Sequence, residues 1–211
     1  LQVEWIGVWS VEELSALDPA ALRPLYDQYR FLREGETQHW CLANKITLKH
    51  VSVLLKHFEA FKRAADAGHS HSLILEDDVK LAPGFLRELD RYVGELPSEE
   101  QGGWDILSIG AGNPVMHFQG QRPGQHVYRK TWTKGPVYAV SPWNTMRSAD
   151  SYLVSLACAQ KFASVFLPAV FPIDNHLNYV LNTNGMRVFW AEPTLVSQGT
   201  VTGEFKSGVT G

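Results

Sequence analysis

Residues 70–85 read SHSLILEDDVKLAPGF, and this stretch organises the rest of the chain. Residues 73–75 form a short apolar run, three carboxylates follow directly, and a Pro-Gly pair opens the next segment. We interpret the run as a buried strand that ends in an acidic cluster. In an open α/β sheet the ligand crevice lies outside the carboxyl ends of the strands, so this strand is expected to deliver its carboxylates there.

The acidic cluster consists of Glu76, Asp77 and Asp78. Carboxylate oxygens suit a hard divalent cation that also carries phosphate oxygens. The alternative is that Asp77 and Asp78 cap the helix expected after Pro83, because Asp near a helix N-terminus satisfies free N–H groups. The stretch taken alone leaves both interpretations open.

The composition is that of a globular domain. The chain has 211 residues and 45% hydrophobic content, which is enough for one buried core. A net charge of -3 provides no basic surface, so we expect no nucleic acid partner. No apolar run has the length of a membrane span. Cys41 and Cys158 stand in apolar helical patterns without C-x-x-C spacing, which predicts buried free thiols.

The opening residues LQVEWIGVWS lack the basic n-region of a signal peptide, and the chain does not begin with Met. We therefore expect a processed or trimmed domain. The alternation over residues 3–9 predicts a strand. Ser10 and the pair Asp18-Pro19 are expected helix starts, since Ser and Asp are favoured caps and Pro is favoured at the first helical position.

A long amphipathic helix is predicted over residues 40–67, which contain no Gly or Pro and show helical apolar spacing. His39, His50 and His57 lie in or beside it. No H-E-x-x-H pattern accompanies them, so we expect structural or substrate-contacting roles in preference to metal ligation.

Further elements are predicted downstream from the same kind of pattern. We expect helices at 83–96, 156–166 and just after Asp174, strands at 104–110, 137–140, 152–154 and 187–191, and a flexible tail at 198–211.

Residues 111–135 lack a period and are expected to form a long functional loop. Its polar and aromatic side chains suit a planar polar ligand such as a sugar or nucleotide, and a solvated loop is the alternative. The side chains in question are His117, His126, Tyr128, Arg129 and Trp132.

Five ordered segments resemble glycosyltransferase family 25: LILEDDVKLAPGF, WDILSIG, SYLVSLACAQKF, PIDNHLNYVL and EPTLVSQ. The similarity extends over about residues 38–200, and ILEDD is its most specific piece. The resemblance implies a single GT-A-like, Rossmann-like α/β domain with a mostly parallel central sheet flanked by helices. It places residues 1–10 at the family's second strand, so the family's first strand and helix are expected to be short or missing.

The resemblance also implies a UDP-sugar donor, a divalent metal (Mn²⁺ or Mg²⁺), and a glycan or protein-linked acceptor that receives a hexose such as galactose or glucose. Carried over by position, Glu76, Asp77 and Asp78 match the family's acidic motif and Asp174 matches its later aspartate. We assign the metal to Asp77 and Asp78. Donor contacts are assigned to Glu76, Asp77, Arg129 and Trp132.

Asp174 is the expected catalytic base. An inverting displacement needs a base that takes the proton of the acceptor hydroxyl on the face of the sugar opposite the leaving diphosphate. The alternative for Asp174 is a plain N-cap of the following helix. Arg129 or Lys130 is a candidate for offsetting phosphate charge, although basic residues in loops are usually solvated.

Two other functions remain open from the sequence. One is an inactive relative that only binds a glycan or a protein, which a missing nucleotide-binding start would favour. The other is a different metal-dependent phosphate enzyme, which a second acidic cluster would support.

Overall fold

The computed structural model describes residues 3–27, 46–112, 116–131 and 145–206. Within them, helices and strands follow one another in a mixed α/β order. The helices are α1 (Val11–Ser15), α2 (Pro19–Leu22), α3 (Leu48–Ala67), α4 (Phe85–Gly94), α5 (Leu156–Val165), α6 (Ile173–Thr183) and α7 (Gly199–Thr202). The strands are β1 (His71–Leu75), β2 (Val79–Leu81), β3 (Ile106–Ser108), β4 (Val127–Lys130), β5 (Ser151–Ser155), β6 (Val188–Ala191) and β7 (Val196–Gln198).

A five-stranded mixed sheet in the order β1-β5-β3-β6-β4 forms the centre of the fold. β5 is antiparallel to β1 and β3, β3 is parallel to β6, and β4 is antiparallel to β6. β1, β3 and β6 therefore point the same way, and we call the edge where they end the carboxyl edge. An antiparallel pair, β2 and β7, is joined to this edge by a bridge between Gly110 and Val196.

The side chains of the sheet alternate between two hydrophobic cores. On β5, Tyr152 and Val154 belong to the core that α3, α5 and α6 cover, whereas Leu153 belongs to the core that α4 and β7 cover. The prediction of an α/β domain with a central sheet flanked by helices is therefore confirmed, with mixed pairing inside the sheet.

Local capping explains where several elements begin and end. The Ser10 side chain accepts from the Glu13 backbone N–H at 3.1 Å, and Asp18 accepts from Ala20 at 2.7 Å, so both predicted helix starts are confirmed. Gly68 adopts a left-handed φ of 69° at the end of α3, a conformation that glycine reaches without strain. That turn leads the chain directly into β1.

The structure describes one of the two cysteines that were predicted to be buried free thiols. Cys158 is buried as a free thiol, and burial raises its pKa well above the usual value. Cys41 lies outside the described residues.

In the part of the chain that the structure describes, no helix has the length and apolar character needed to cross a membrane.

The predicted strand at residues 3–9 is wrong, because the described residues there form no strand. Val3 and Trp5 are exposed, and the segment runs along α3 without a partner strand. Its carbonyls instead accept from side chains of α3: Ser52 donates to the Trp9 carbonyl at 2.5 Å, and Arg63 donates to that of Trp5 at 3.5 Å. Alternating apolar residues predict a strand only where a neighbouring strand can pair with them.

Three other predicted segments differ from what the structure has: the loop at 111–135, the long helix and the tail. The aperiodic segment 111–135 contains β4, which pairs along its length with β6. The long helix begins at Leu48, after the cap residue Thr47, and residues 28–45 lie outside the described part. The predicted strand at 137–140 also lies outside it. At the end of the chain, residues 198–206 include the end of β7 and the short helix α7.

Candidate functional site

Glu76 directly follows β1 and lies at the carboxyl edge. Its backbone N–H donates to the Asp150 carbonyl at 2.8 Å, which extends the β1–β5 pairing by one residue beyond Leu75↔Ser151. One carboxylate oxygen of Glu76 lies 3.5 Å from His57 Nε2, and the other accepts from Gln198 Nε2 at 3.3 Å. Protein groups contact both oxygens, so the orientation of the carboxylate is fixed.

His57 is buried on α3 and connects the helix layer to this edge. Its Nδ1 lies 2.8 Å from the Tyr152 hydroxyl, and the two rings stack. Burial raises the pKa of Tyr152 well above its usual value, and the charges of Glu76 and Asp174 act in the same direction. His57 is therefore a contact residue of the acidic motif, in line with the structural interpretation of its sequence position.

His50 has a capping role. Its Nδ1 accepts a 3.1 Å hydrogen bond from the Thr47 backbone N–H at the start of α3. His39 lies outside the described residues.

Asp78 lies in the turn between β1 and β2 and is half-buried. It contacts Gly199 and Thr200. Thr200 Oγ1 donates to Asp78 Oδ2 at 2.7 Å, and the Gly199 N–H donates to the Asp78 carbonyl at 2.7 Å. Oδ1 is buried and has no hydrogen-bond partner among the described residues. A buried carboxylate oxygen without a partner is costly unless an ion or a water satisfies it.

Asp150 is a second buried carboxylate at the same edge. Ser148 Oγ donates to its Oδ1 at 2.6 Å, and its Oδ2 has no partner in the described part of the chain. Burial raises the pKa of Asp150 to about 6, and the nearby charges of Glu76 and Asp174 contribute to the increase. Gly110 lies opposite, and a side chain there would collide with the Asp150 carboxylate.

Asp174 is the second residue of α6 and is exposed on the wall of this region. Its Oδ1 accepts from the Ala149 backbone N–H at 2.7 Å. The cap of α6 is Pro172, so the N-cap alternative for Asp174 is wrong. Although the residue as a whole is exposed, the surrounding protein desolvates its carboxylate and raises its pKa. The charge of Glu76 adds to this increase, whereas the Ala149 hydrogen bond and the charge of His57 oppose it. A raised pKa makes this carboxylate a stronger base than an ordinary aspartate.

A buried ion pair supports the carboxyl edge farther along the sheet. Arg147 donates to Glu192 at 2.5 Å. It also donates to the carbonyl of Gly110, two residues beyond β3, at 2.8 Å and to that of Ala191, the last residue of β6, at 2.9 Å. Both side chains are almost fully excluded from solvent. Burial lowers the pKa of Arg147 to about 10, and the charge of Glu192 opposes that change, so the guanidinium stays charged at neutral pH.

Asp77 is exposed in the turn beside Asp78, whereas other predicted site residues lie away from the acidic motif. Arg129 is exposed on β4, the outermost strand at the end of the sheet opposite β1. Four strand spacings separate β4 from β1, which corresponds to roughly 19 Å. Lys130, from the same strand, lies over the Trp190 ring at 4.5 Å. Trp132 lies outside the described residues.

The other predicted ligand contacts in the 111–135 segment have protein partners. His126 Nδ1 lies 2.6 Å from Glu95, and His117 Nδ1 lies 3.2 Å from Glu192. The Tyr128 hydroxyl donates to the Gln125 carbonyl at 2.8 Å. These contacts stabilise the segment itself.

The sequence interpretation missed Asp150 and Thr200. Asp150 lies two residues before the strand predicted at 152–154, and only the antiparallel orientation of that strand places it beside Glu76. Thr200 fell in the segment predicted to be a tail. A Gly-Thr pair directly after the segment LVSQ was its only signal.

The acidic motif presents carboxylate oxygens, which are the type of ligand that a hard divalent cation prefers. Within the described residues, no group of three or more His, Cys, Asp or Glu side chains could hold a metal ion by itself. A cation that arrives with a diphosphate needs only one or two protein carboxylates, because phosphate oxygens and waters complete its coordination. Asp78, with its unpartnered Oδ1, and the exposed Asp77 fit that requirement.

The chain is similar to curated galactosyltransferases. It is 26% identical to procollagen galactosyltransferase 1 of Danio rerio over 171 aligned positions, and the alignment covers 75% of this chain and 26% of that protein. It is 23% identical to procollagen galactosyltransferase 2 of Mus musculus over 225 aligned positions, and that alignment covers 97% of this chain and 30% of that protein. It is 22% identical to procollagen galactosyltransferase 2 of Homo sapiens over 179 aligned positions, with 75% of this chain and 26% of that protein covered.

These matches support a glycosyltransferase-like relationship. The chain spans 26% to 30% of the length of the relatives named above. No family model matches the chain.

Proposed function

We propose that the chain is a metal-dependent, inverting glycosyltransferase that moves a hexose, galactose or glucose, from a UDP-sugar to a glycan or protein-linked acceptor. The observation that carries the proposal is the arrangement at the carboxyl edge. Asp78 has an unpartnered carboxylate oxygen, and Asp174 is an exposed carboxylate of raised pKa on the same edge. The similarity to galactosyltransferases supports the same reaction class.

Asp77 and Asp78 are the residues that would hold the cation. Mn²⁺ or Mg²⁺ bound there would supply Lewis-acid stabilisation for the negative charge that develops on the leaving diphosphate. Glu76 would contact the donor in an orientation fixed by His57 and Gln198.

Asp174 would act as the general base of the transfer. The acceptor hydroxyl oxygen forms a bond to the anomeric carbon while the bond from that carbon to the phosphate oxygen breaks, and its electron pair leaves with UDP. The acceptor proton passes to Asp174. Because Ala149 holds Oδ1, the other oxygen, Oδ2, is the proton acceptor in this assignment.

The proposal is tested with the purified protein and a panel of nucleotide sugars that begins with UDP-galactose and UDP-glucose. Nucleotide release is measured with and without Mn²⁺, in the presence of procollagen-derived peptides or glycans. Metal-dependent UDP release that increases with an acceptor supports the proposal. Binding of a glycan without release of any nucleotide would favour the inactive relative. Hydrolysis of simple phosphate esters would favour another phosphate enzyme.

A further inference from the structure

Three consecutive residues near the end of the chain each contact the acidic motif. Gln198 donates to Glu76 at 3.3 Å, the Gly199 N–H donates to the Asp78 carbonyl at 2.7 Å, and Thr200 donates to Asp78 Oδ2 at 2.7 Å. The β2–β7 register, in which Val79 is opposite Gln198, brings the two segments together. We call residues 198–200 the clamp.

The close approach of the clamp depends on Gly199. A Cβ at this position would lie 2.9 Å from the Asp78 carbonyl oxygen and would overlap the Phe205 ring. The backbone N–H groups of Glu204 and Phe205 donate to the Gly199 carbonyl at 2.9 and 3.1 Å. The chain therefore turns back on itself after the clamp, and this turn fixes the position of Thr200.

The two carboxylate oxygens of Asp78 differ in their hydrogen bonding. Thr200 holds Oδ2, whereas Oδ1 is buried without a partner among the described residues. A hydrogen bond to one oxygen fixes the rotation of the carboxylate and thus the direction in which the other oxygen faces. Partners of this kind orient metal-binding carboxylates, and their loss typically weakens metal affinity about 10- to 100-fold.

We propose that Thr200 is a positioning residue for Asp78. Its hydroxyl holds Oδ2 so that Oδ1 is presented to the cation that accompanies the donor diphosphate. The inference rests on the proposed function and extends it to a residue outside the acidic motif. It gives the segment after β7 a role in donor binding.

Three variants of the full chain test the proposal. Thr200→Val removes the hydroxyl and keeps the side-chain shape, whereas Thr200→Ser keeps the hydroxyl. Thr183→Val is the matched control, because Thr183 is exposed at the end of α6 and its hydroxyl donates to the Tyr179 carbonyl of the same helix at 2.8 Å. Electron paramagnetic resonance of free Mn²⁺ measures metal binding in the presence of UDP, and thermal unfolding measures folding.

We expect Thr200→Val to weaken Mn²⁺ binding about 10- to 100-fold with UDP present. Thr200→Ser should restore most of the affinity, and Thr183→Val should bind like the wild type. Wild-type affinity in Thr200→Val, or an equal loss in Thr183→Val, overturns the positioning role while leaving the proposed function intact. A wild-type protein that binds no Mn²⁺ with UDP contradicts the proposed function and this inference together. Thr200→Ala replaces the valine variant in the same comparison if the latter does not fold.

Discussion

Ala149 and Asp174 are joined by a 2.7 Å hydrogen bond from the backbone N–H of Ala149 to Oδ1 of Asp174. The bond connects the start of α6 to the residue before Asp150, and so to the carboxyl edge. Oδ2 of Asp174 has no hydrogen-bond partner in the described part of the chain. One oxygen therefore has a structural role, and in the proposed reaction the other receives the acceptor proton.

Asp174→Asn separates these two roles. The asparagine carbonyl can still accept from Ala149, so we expect a folded protein with nearly unchanged affinity for UDP and Mn²⁺. Loss of the base should lower kcat about a hundredfold to ten-thousandfold. Steady-state kinetics at saturating substrates measures the loss, and near-wild-type turnover would remove Asp174 from the mechanism.

Asp174→Ala controls for the structural bond. It leaves the Ala149 N–H without its partner, which should lower the free energy of unfolding by about 1 to 3 kcal/mol. If Asp174→Asn loses as much stability as Asp174→Ala, the assignment of Asp174 to catalysis fails, because the residue would then act mainly in the fold.

Asp78→Asn tests the cation site. The variant loses the negative charge while keeping a similar shape, so we expect it to fold and to lose the Mn²⁺-dependent part of UDP binding. Titration calorimetry with UDP, with and without Mn²⁺, measures this. Asp90→Asn, at an exposed position on α4, is the matched control. Equal Mn²⁺-dependent UDP affinity in the wild type and Asp78→Asn would contradict the metal assignment.

Asp150 should make the folded protein less stable as the pH rises. Its pKa is raised to about 6 in the folded state, against about 4 in an unfolded chain, so the folded state binds the proton more tightly. This contribution to the free energy of unfolding is complete below about pH 4 and is lost as the pH rises through about 6. The difference of about 2 pH units corresponds to about 3 kcal/mol.

Asp150→Asn carries no titrating group at this position, so its stability should lack that decrease. Urea unfolding of the wild type and the variant at several values between pH 4 and pH 8 provides the comparison. A difference between the two proteins that does not change with pH would show that Asp150 titrates normally in the fold.

Arg147→Met should destabilise the protein strongly. The change leaves Glu192 buried without its positive partner, and breaking a buried pair from one side typically costs about 3 to 5 kcal/mol. Urea denaturation measures the free energy of unfolding. The double variant Arg147→Met/Glu192→Gln should recover part of the loss, because it also removes the unpaired charge.

Lys62→Met is the control for an exposed ion pair. Lys62 lies 3.2 Å from Glu59 on the surface of α3, where such pairs contribute at most about 1 kcal/mol. A loss for Arg147→Met as small as that for Lys62→Met would mean that the buried pair does not stabilise the carboxyl edge.

The strand before the acidic motif could be predicted because the signal is local. An apolar run at residues 73–75 followed by three carboxylates indicates a strand with a polar end, and the structure has β1 there. The prediction that this strand is buried is wrong, because β1 is an edge strand of the sheet and Ile74 is its one buried residue. Ser10 could likewise be predicted as a helix start, and its side chain accepts from the Glu13 backbone N–H at 3.1 Å. Such signals depend only on residues close together in the chain.

The neighbours of the acidic motif could not be predicted because they depend on pairing across the chain. Asp150 reaches Glu76 through the antiparallel register of β1 and β5, and Thr200 reaches Asp78 through that of β2 and β7. The prediction for residues 3–9 was wrong for the same reason, since alternation does not reveal whether a partner strand exists. β4 was missed because only its pairing with β6 makes the short segment VYRK a strand.

Transfer of a labelled hexose is the most direct test of the central claim. The wild-type protein is incubated with UDP-galactose labelled in the sugar, Mn²⁺ and procollagen-derived peptides or glycans, and the acceptor is analysed by mass spectrometry. The account predicts that the acceptor gains the labelled hexose, that a chelator stops the gain, and that Asp174→Asn reduces it about a hundredfold or more. Absence of transfer from both UDP-galactose and UDP-glucose by a folded protein, or equal transfer by the wild type and Asp174→Asn, would contradict it.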